Sequence, residues 1–198
     1  MPKIVDWEAR KDEILEATWR VIARDGLAHT TIRAIAKEAG YSQGILAHYF
    51  DDKLDILASA LVLSHRRVRE RTVRKVGSKR GLAALRIAMS EALPLDAERE
   101  LEARIEVSFW GRLLSDKRLS DLGKREVGLL HDRLKGHLVE ARESGELRPG
   151  IDLEIATQEL LVLIDGVSVE RVHFPSSVPI SRQVKMLDRL IASFKPPR

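Results

Sequence analysis

Residues 30–53 read TTIRAIAKEAGYSQGILAHYFDDK. The apolar spacing predicts two short helices on either side of a tight turn at Gly40, a residue that permits the left-handed backbone of such a turn. Thr30 or Thr31 is suited to cap the first helix and Ser42 the second, because hydroxyl oxygens accept hydrogen bonds from the free N–H groups at a helix start. This arrangement is typical of a helix-turn-helix, whose second helix contacts the major groove of DNA.

One face of this segment is apolar and the other carries hydrogen-bonding groups. The predicted core contains Ile32, Ile35, Ala36, Ala39, Ile45 or Leu46, and Phe50. Ser42, Gln43 and Gly44 face outward at the start of the second helix, where Gln pairs with an adenine edge and Ser with a base or a phosphate. Contacts to the DNA backbone are expected from the rim residues Thr31, Tyr49 and Lys53.

Helical apolar spacing continues almost throughout the chain. A first helix is predicted over residues 7–24, and a connecting helix begins after Asp51 or Asp52. Further helices are predicted over about 80–92, 97–114, 116–143 and 180–194, together with one that Asp152 caps and that is apolar on most sides over residues 155–172. No segment alternates long enough for a strand, so we expect an all-α fold of about nine helices. A helix-turn-helix domain over residues 1–55 would precede a larger helical domain over residues 56–198.

The composition excludes several classes of protein. The chain has 198 residues and no cysteine, which excludes disulfides, a cysteine-ligated zinc site and a cysteine nucleophile. Its longest apolar run, Leu160–Ile164, is too short to span a bilayer, and Met1–Lys11 lacks the apolar core of a secretory signal. We therefore expect a cytoplasmic protein with no membrane partner.

Positive charge is concentrated after the helix-turn-helix. Residues 65–80 hold eight Lys or Arg against one acid, Glu70. Two interpretations remain open. The run is a solvated helix end, where cations favour the helix dipole, or a surface that attracts DNA at long range.

A series of residues in the first 58 positions matches a known family pattern. They are Asp25-Gly26, Thr30-Thr31-Ile32, Ile35-Ala36, Ala39-Gly40-Tyr41-Ser42, Gly44, His48-Tyr49-Phe50, Lys53 and Leu57. Over about residues 10–58 the chain resembles the tetracycline-repressor (TetR) family of one-component bacterial regulators. The segments 44–50 and 163–167 are more similar to the choline-responsive repressors of betaine synthesis.

This resemblance implies an all-helical homodimer whose N-terminal domain binds DNA and whose C-terminal domain senses a ligand that usually releases the DNA. Carried over by position, the expected DNA-facing residues are Thr31, Arg33, Ser42, Gln43, Gly44, Ile45, His48, Tyr49 and Lys53. Ala47 departs from the family, because many members have Tyr there, and the expectation of a phosphate or base contact from that hydroxyl does not carry over. Two alternatives remain: Thr30-Thr31 is only a cap or also touches DNA, and His48 faces a phosphate or packs against Tyr49.

The effector site is less defined by the sequence. Phe109 and Trp110 are the only aromatic residues between positions 51 and 173, and a quaternary ammonium ligand would require an aromatic cage. The candidate effector-binding residues are Met89, Glu106, Phe109, Trp110, Leu113, His131 and Asp165. Alternatively, Met89 and one of the aromatic residues pack in the core, and Asp165 caps or pairs locally.

Other functions have less support in the sequence. His131 and His137 lie six residues apart and do not share a helix face, so a metal site is not expected. No Ser-His-Asp order, Gly-rich phosphate loop or HExxH motif indicates an enzyme. An architectural DNA-binding protein would have little need of so large a helical domain. We therefore expect a repressor with an unknown small-molecule effector and no cofactor, while activation or dual regulation remains open.

Two C-terminal helices indicate a partner surface. The helix near 152–172 is apolar on more sides than a surface helix of a monomer, and with the helix near 180–194 it would bury a second face. A two-fold dimer is the common solution, and it places the recognition helices about 34 Å apart, one turn of DNA. The expected partners are a palindromic double-stranded DNA operator, a second copy of the chain and the effector.

Overall fold

The computed structural model describes residues 7–197. This part of the chain forms nine helices and no strand. They are α1 (Trp7–Asp25), α2 (Ile32–Ala39), α3 (Gln43–Tyr49), α4 (Lys53–Val76), α5 (Gly81–Ala92), α6 (Ala97–Leu113), α7 (Lys117–Glu143), α8 (Leu153–His173) and α9 (Ile180–Ser193). The predicted all-α fold is confirmed, and the helix limits lie within two residues of the predicted ones.

Aspartate side chains cap the N-termini of three of the long helices. Asp96, Asp116 and Asp152 each accept a hydrogen bond from a backbone N–H two or three residues later, at 2.8–2.9 Å. The first N–H groups of a helix have no partner within the helix, and these carboxylates supply one. The starts of α6, α7 and α8 are therefore fixed by local sequence.

The chain divides into two compact units between residues 65 and 66, inside α4. The first unit contains α1, α2, α3 and the beginning of α4, where the carbonyl of Ala60 accepts a hydrogen bond from Trp19 Nε1 at 3.0 Å. The sequence-based division into 1–55 and 56–198 assigns almost all of α4 to the C-terminal part. In the structure the two units share this helix, because its first turns pack with α1.

The second unit has its core between α5, α7, α8 and α9. Met89, Leu138, Leu160 and Leu187, one from each helix, are completely buried together. Helix α6 also belongs to this unit, and its residue Phe109 is completely buried. Within residues 7–197, every helix is too short or too polar to cross a membrane.

Candidate DNA-binding surface and effector cavity

The turn between α2 and α3 has the geometry of a helix-turn-helix. Thr31 Oγ1 accepts a hydrogen bond from Ala34 N at 3.1 Å, and Ser42 Oγ accepts one from Ile45 N at 3.3 Å. Between the two caps, Gly40 adopts a φ of 74° in the left-handed region. The predicted caps of both helices are therefore formed, with Thr31 rather than Thr30 in the first position.

Apolar packing holds one face of α3 and leaves the other in solvent. Leu46 of α3 and the following Phe50 are buried, together with Ile35 and Ala36 of α2. The remaining members of the predicted core, Ile32, Ala39 and Ile45, are half-buried. The burial of one face fixes which side chains α3 presents to a partner.

Ion pairs also fix α2 against α1. Glu38 accepts hydrogen bonds from Arg20 Nε and Arg24 Nη1, both at 2.8 Å. These hydrogen bonds hold the pKa of the Glu38 carboxyl below its usual value. The arginines of both pairs are largely exposed, so solvent screens these pairs and they add little to stability. Their main effect is on the orientation of α2.

The structure exposes most of the residues expected to face DNA. The exposed ones are Thr31, Arg33, Ser42, Gln43, Gly44 and His48, and the half-buried ones are Ile45, Tyr49 and Lys53. The ring of Tyr49 lies against Trp7, with 4.2 Å between the ring centroids. Thr30 is buried and donates a hydrogen bond to the carbonyl of Gly26 at 2.9 Å, which leaves Thr31 as the exposed threonine of the pair.

The second unit contains a cavity of about 380 Å³ between α4, α5 and α7. Its walls are formed by Val68, Arg69, Thr72, Val73, Val76, Gly77, Ala88, Ala92, Leu130, Arg133, Leu134, Gly136, His137 and Glu140. None of these residues is among the effector candidates predicted from the sequence. Arg69 lies in the basic run, but nothing in the sequence brings it next to Arg133.

The ionisable residues that line the cavity are two arginines, one histidine and one glutamate. Burial lowers the pKa of Arg133, the positive charge of Arg69 lowers it further, and Glu126 acts in the opposite direction. Neither Arg69 nor Arg133 forms a hydrogen bond or an ion pair with any residue in the described part of the chain. The two guanidinium groups thus place positive charge at the cavity wall without a hydrogen-bonded carboxylate, although the charge of Glu126 acts on Arg133.

The carboxylate of Glu140 is already occupied. It accepts a hydrogen bond from Gly81 N at 3.2 Å and pairs with Arg80 Nη2 at 3.0 Å. His137 Nδ1 lies 3.6 Å from Oε2 of the same side chain. The hydrogen bond from Gly81 is the main reason that the pKa of Glu140 lies below its usual value.

The effector candidates predicted from the sequence are distributed elsewhere. Met89 and Phe109 are completely buried, while Glu106, Trp110 and Leu113 are half-buried on α6. His131 contacts the carboxylates of Glu154 at 2.8 Å and Asp132 at 3.2 Å. The candidates are therefore not gathered at one place, and none of them lines the cavity.

Asp165 and Glu106 are the two candidates that interact electrostatically. The side chain of Asp165 is exposed to solvent, but neighbouring protein atoms partly desolvate its carboxyl group. This desolvation and the negative charge of Glu106 raise the pKa of Asp165 to about 6. The described residues contain no group of three or more side chains that would hold a metal ion.

The basic run over residues 65–80 forms ion pairs that join helices. Arg71 donates two hydrogen bonds to Glu102, at 2.6 and 2.7 Å, and one to Glu91 at 3.3 Å. Lys75 Nζ donates to Glu91 at 2.7 Å. The acidic partners of Arg71 and Lys75 come from α5 and α6. Arg74, Lys79 and Arg80, at the end of the run, are exposed, and the two interpretations stay open for them.

Comparison with known proteins gives consistent matches for both units. Residues 14–60 match the family model of bacterial regulatory proteins of the tetR family, and residues 82–195 match the model of the C-terminal region of BetI-type transcriptional repressors. The HTH-type transcriptional regulator PksA of Bacillus subtilis (strain 168) is 29% identical over 197 residues, which are 98% of this chain and 93% of PksA.

A second relative and a solved structure extend the comparison. The HTH-type transcriptional regulator BetI of Vibrio parahaemolyticus is 31% identical over 184 residues, with 84% of this chain and 82% of BetI covered. A Saccharomonospora viridis protein, described as a transcriptional regulator and crystallised in complex with choline, superposes with a TM-score of 0.86 at 23% identity. The superposition covers 96% of this chain and 99% of that protein.

Proposed function

Because the chain belongs to the TetR family of transcriptional regulators, with a BetI-type C-terminal region, we propose that it is a homodimeric repressor released from a palindromic operator by a small-molecule effector. It is a regulator and not an enzyme. The observation that carries the proposal is the exposed face of α3. Gln43, Gly44 and His48 are in solvent there, while Leu46 anchors the opposite face.

The exposed face supplies the groups that read and position DNA. Gln43 offers a side-chain amide that pairs bidentately with an adenine edge in the major groove. Ser42, Thr31 and Arg33 lie close in sequence to the turn and contact phosphates or bases, with His48 and Lys53 on the phosphate backbone. Tyr49 packs against Trp7, so its hydroxyl is held in a defined place at the rim.

Exposed apolar residues on α8 and α9 support a dimer. Ile155 and Val162 on α8 are 61% and 59% exposed, and Ile180 and Met186 on α9 are 43% and 39% exposed. Ile155 and Val162 are seven residues apart, so they share one face of the helix. A second copy that covers this face by a two-fold axis would remove it from water and place two α3 helices on one palindrome.

The effector is proposed to bind in the cavity between α4, α5 and α7. An effector that prefers a dimer unable to fit the operator releases the DNA by shifting the population of dimers toward that form. The helix α4 begins in the first unit and lines the cavity of the second unit with Arg69 and Val73. The expected location of such a regulator is the cytoplasm, where its DNA lies.

DNase footprinting on the DNA that flanks the gene of this protein tests the proposal. With competitor DNA at about 150 mM salt, nonspecific phosphate contacts are weakened, and we expect protection of a short palindrome. Gln43→Ala is expected to lower operator affinity about 10-fold or more, since a bidentate base contact contributes about 1–3 kcal/mol. Glu143→Ala, an exposed substitution at the end of α7, is the control. Protection without sequence preference, or equal loss in both variants, would contradict the proposal.

A further inference from the structure

The charge of the effector cavity does not suit a cationic ligand. Arg69 and Arg133 line the wall without a hydrogen-bonded carboxylate in the part of the chain that the structure describes, and Glu126 acts on Arg133 only through its charge. The one acidic lining residue, Glu140, is paired with Gly81 N and Arg80. A cation inside the cavity would therefore meet two guanidinium groups and no free carboxylate.

The apolar part of the cavity lacks the groups that bind a quaternary ammonium ion. The walls contain aliphatic side chains from α4, α5 and α7, and none of the lining residues is aromatic. Quaternary ammonium ions are recognised by the faces of aromatic rings, which attract the cation electrostatically. The two aromatic residues of the region, Phe109 and Trp110, are not in the wall.

We propose that the effector of this protein is a small amphipathic anion, in which a carboxylate or phosphate head binds Arg69 and Arg133 and an aliphatic body packs against the apolar wall. The inference rests on the proposed function, because an effector exists only if the chain is a ligand-released regulator. Two guanidinium groups supply planar donors that match the oxygen atoms of such a head group. Val68, Val73, Val76 and Leu134 supply the aliphatic contacts.

The partial burial of Arg133 close to Arg69 explains why an anion would be favoured. Desolvation and the neighbouring charge of Arg69 lower the pKa of Arg133, and an anion between the two groups relieves both costs. The volume of about 380 Å³ lies near the lower end of the range of roughly 300–1,000 Å³ found for small-molecule sites. The cavity is thus suited to one short-chain ligand.

Four probes with an alkyl body of seven or eight carbons isolate the effect of the head group. Octanoate, octyl phosphate, octan-1-ol and octyltrimethylammonium are titrated into the full-length protein by isothermal titration calorimetry. We expect octanoate or octyl phosphate to bind at least 10-fold more tightly than octan-1-ol, and octyltrimethylammonium to bind more weakly than either anion. The ratio between octanoate and octyl phosphate identifies the head group.

Substitution of the two arginines tests the assigned contacts. Arg69→Gln and Arg133→Gln are each expected to weaken the preferred anion about 10-fold, because one charge-assisted hydrogen bond contributes about that factor. Octan-1-ol should bind the variants and the wild type alike. Arg142→Gln, an exposed arginine of the same helix α7 outside the cavity wall, is the control and should bind the anion like the wild type.

The outcomes separate this inference from the proposed function. Tighter binding of octyltrimethylammonium than of either anion, anion binding that ignores both substitutions, or no binding of any anion would overturn the inference while operator protection persists. Anion binding with the expected arginine dependence, together with anion-induced loss of the footprint, supports it. If the arginine-dependent binding occurs but the protein protects no DNA, the proposed function fails and the anion loses its role as an effector.

Discussion

Gly40 determines the direction of the chain between α2 and α3. Its φ of 74° lies in the left-handed region. Its backbone N–H donates a hydrogen bond to the carbonyl of Lys37, near the end of α2, at 3.3 Å. A Cβ placed on this residue meets no atom within 4 Å. Glycine is therefore required here by backbone conformation and not by lack of space.

Gly40→Ala is expected to lower the free energy of unfolding by about 1–2 kcal/mol, the usual cost of a Cβ in the left-handed conformation. Gly128→Ala is the matched control, because Gly128 lies inside α7 with equally open space around it. That substitution should stabilise the protein by up to about 1 kcal/mol, since alanine favours a helix interior. Urea unfolding monitored by circular dichroism measures both effects. A loss of the same size in both variants would show that the conformation of Gly40 is not the cause.

The contacts of single residues show which local predictions were possible. Ser42 caps α3 as predicted, because a cap involves only residues three positions apart. The packing of Tyr49 against Trp7 was not predicted, because the two residues come from different helices and share no sequence signal. The burial of Thr30 was also not predicted, since its hydrogen bond to Gly26 follows from the exact shape of the preceding turn.

At the level of elements, Arg71 joins α4 to α5 and α6. Its side chain is 12% exposed, and its partners Glu91 and Glu102 are 4% and 7% exposed. Burial raises the pKa of Glu102, although the charge of Arg71 opposes this effect. The guanidinium group thus compensates acidic side chains that would otherwise be costly to bury.

Arg71→Met is expected to lower the free energy of unfolding by about 3–5 kcal/mol, because it removes both guanidinium hydrogen bonds from the buried carboxylate of Glu102. Arg86→Met is the control. It removes a pair with Asp188 in which both side chains are 48% exposed, so the expected loss is below about 1 kcal/mol. Thermal and urea unfolding of both variants measure the difference. Equal losses would mean that the buried position of Arg71 has no special role.

The pH dependence of the Arg71→Met variant provides an independent check. Without the arginine, the pKa of Glu102 rises further above its unfolded value, so the folded state binds more protons than the unfolded state. The free energy of unfolding then falls as the pH rises between the unfolded and the folded pKa of Glu102. The deficit of the variant relative to the wild type should therefore be smaller at pH 5 than at pH 8.

The helices were predictable from the sequence, and the cavity was not. Caps such as Asp96, Asp116 and Asp152 and the apolar spacing between them are local features, and they define the limits of α6, α7 and α8. Arg69 and Arg133 are far apart in the sequence and become neighbours only when α4 packs near α7. Phe109 and Trp110 are effector-binding candidates in the sequence because they are aromatic, but Phe109 is completely buried in the core.

At the scale of the whole molecule, part of the exposed apolar surface lies where a second copy is proposed to bind. Four of the exposed large apolar side chains in the described part of the chain, Ile155, Val162, Ile180 and Met186, lie on α8 and α9. Asp165, with its pKa raised to about 6, also lies on α8. A protein that reads a two-fold symmetric operator needs such a shared surface, because one short α3 helix contacts only a half-site.

Val162→Lys is expected to convert the dimer into a monomer. A lysine placed at the centre of the proposed interface leaves a charge unpaired on burial, at a cost of roughly 3 kcal/mol or more, and each 1.4 kcal/mol weakens association about 10-fold. The matched control is Val127→Lys, because Val127 on α7 is 52% exposed, against 59% for Val162, and lies outside α8 and α9. Analytical ultracentrifugation across a concentration series measures association, and footprinting measures operator binding. Val162→Lys should raise the dissociation constant of the proposed dimer about 100-fold and weaken protection of the palindrome, while Val127→Lys should leave both unchanged.

Two outcomes would contradict this prediction. A Val162→Lys variant that is dimeric at the same concentrations as the wild type would place the interface on another surface. A monomeric variant that still protects the full palindrome would remove the dimer from the mechanism.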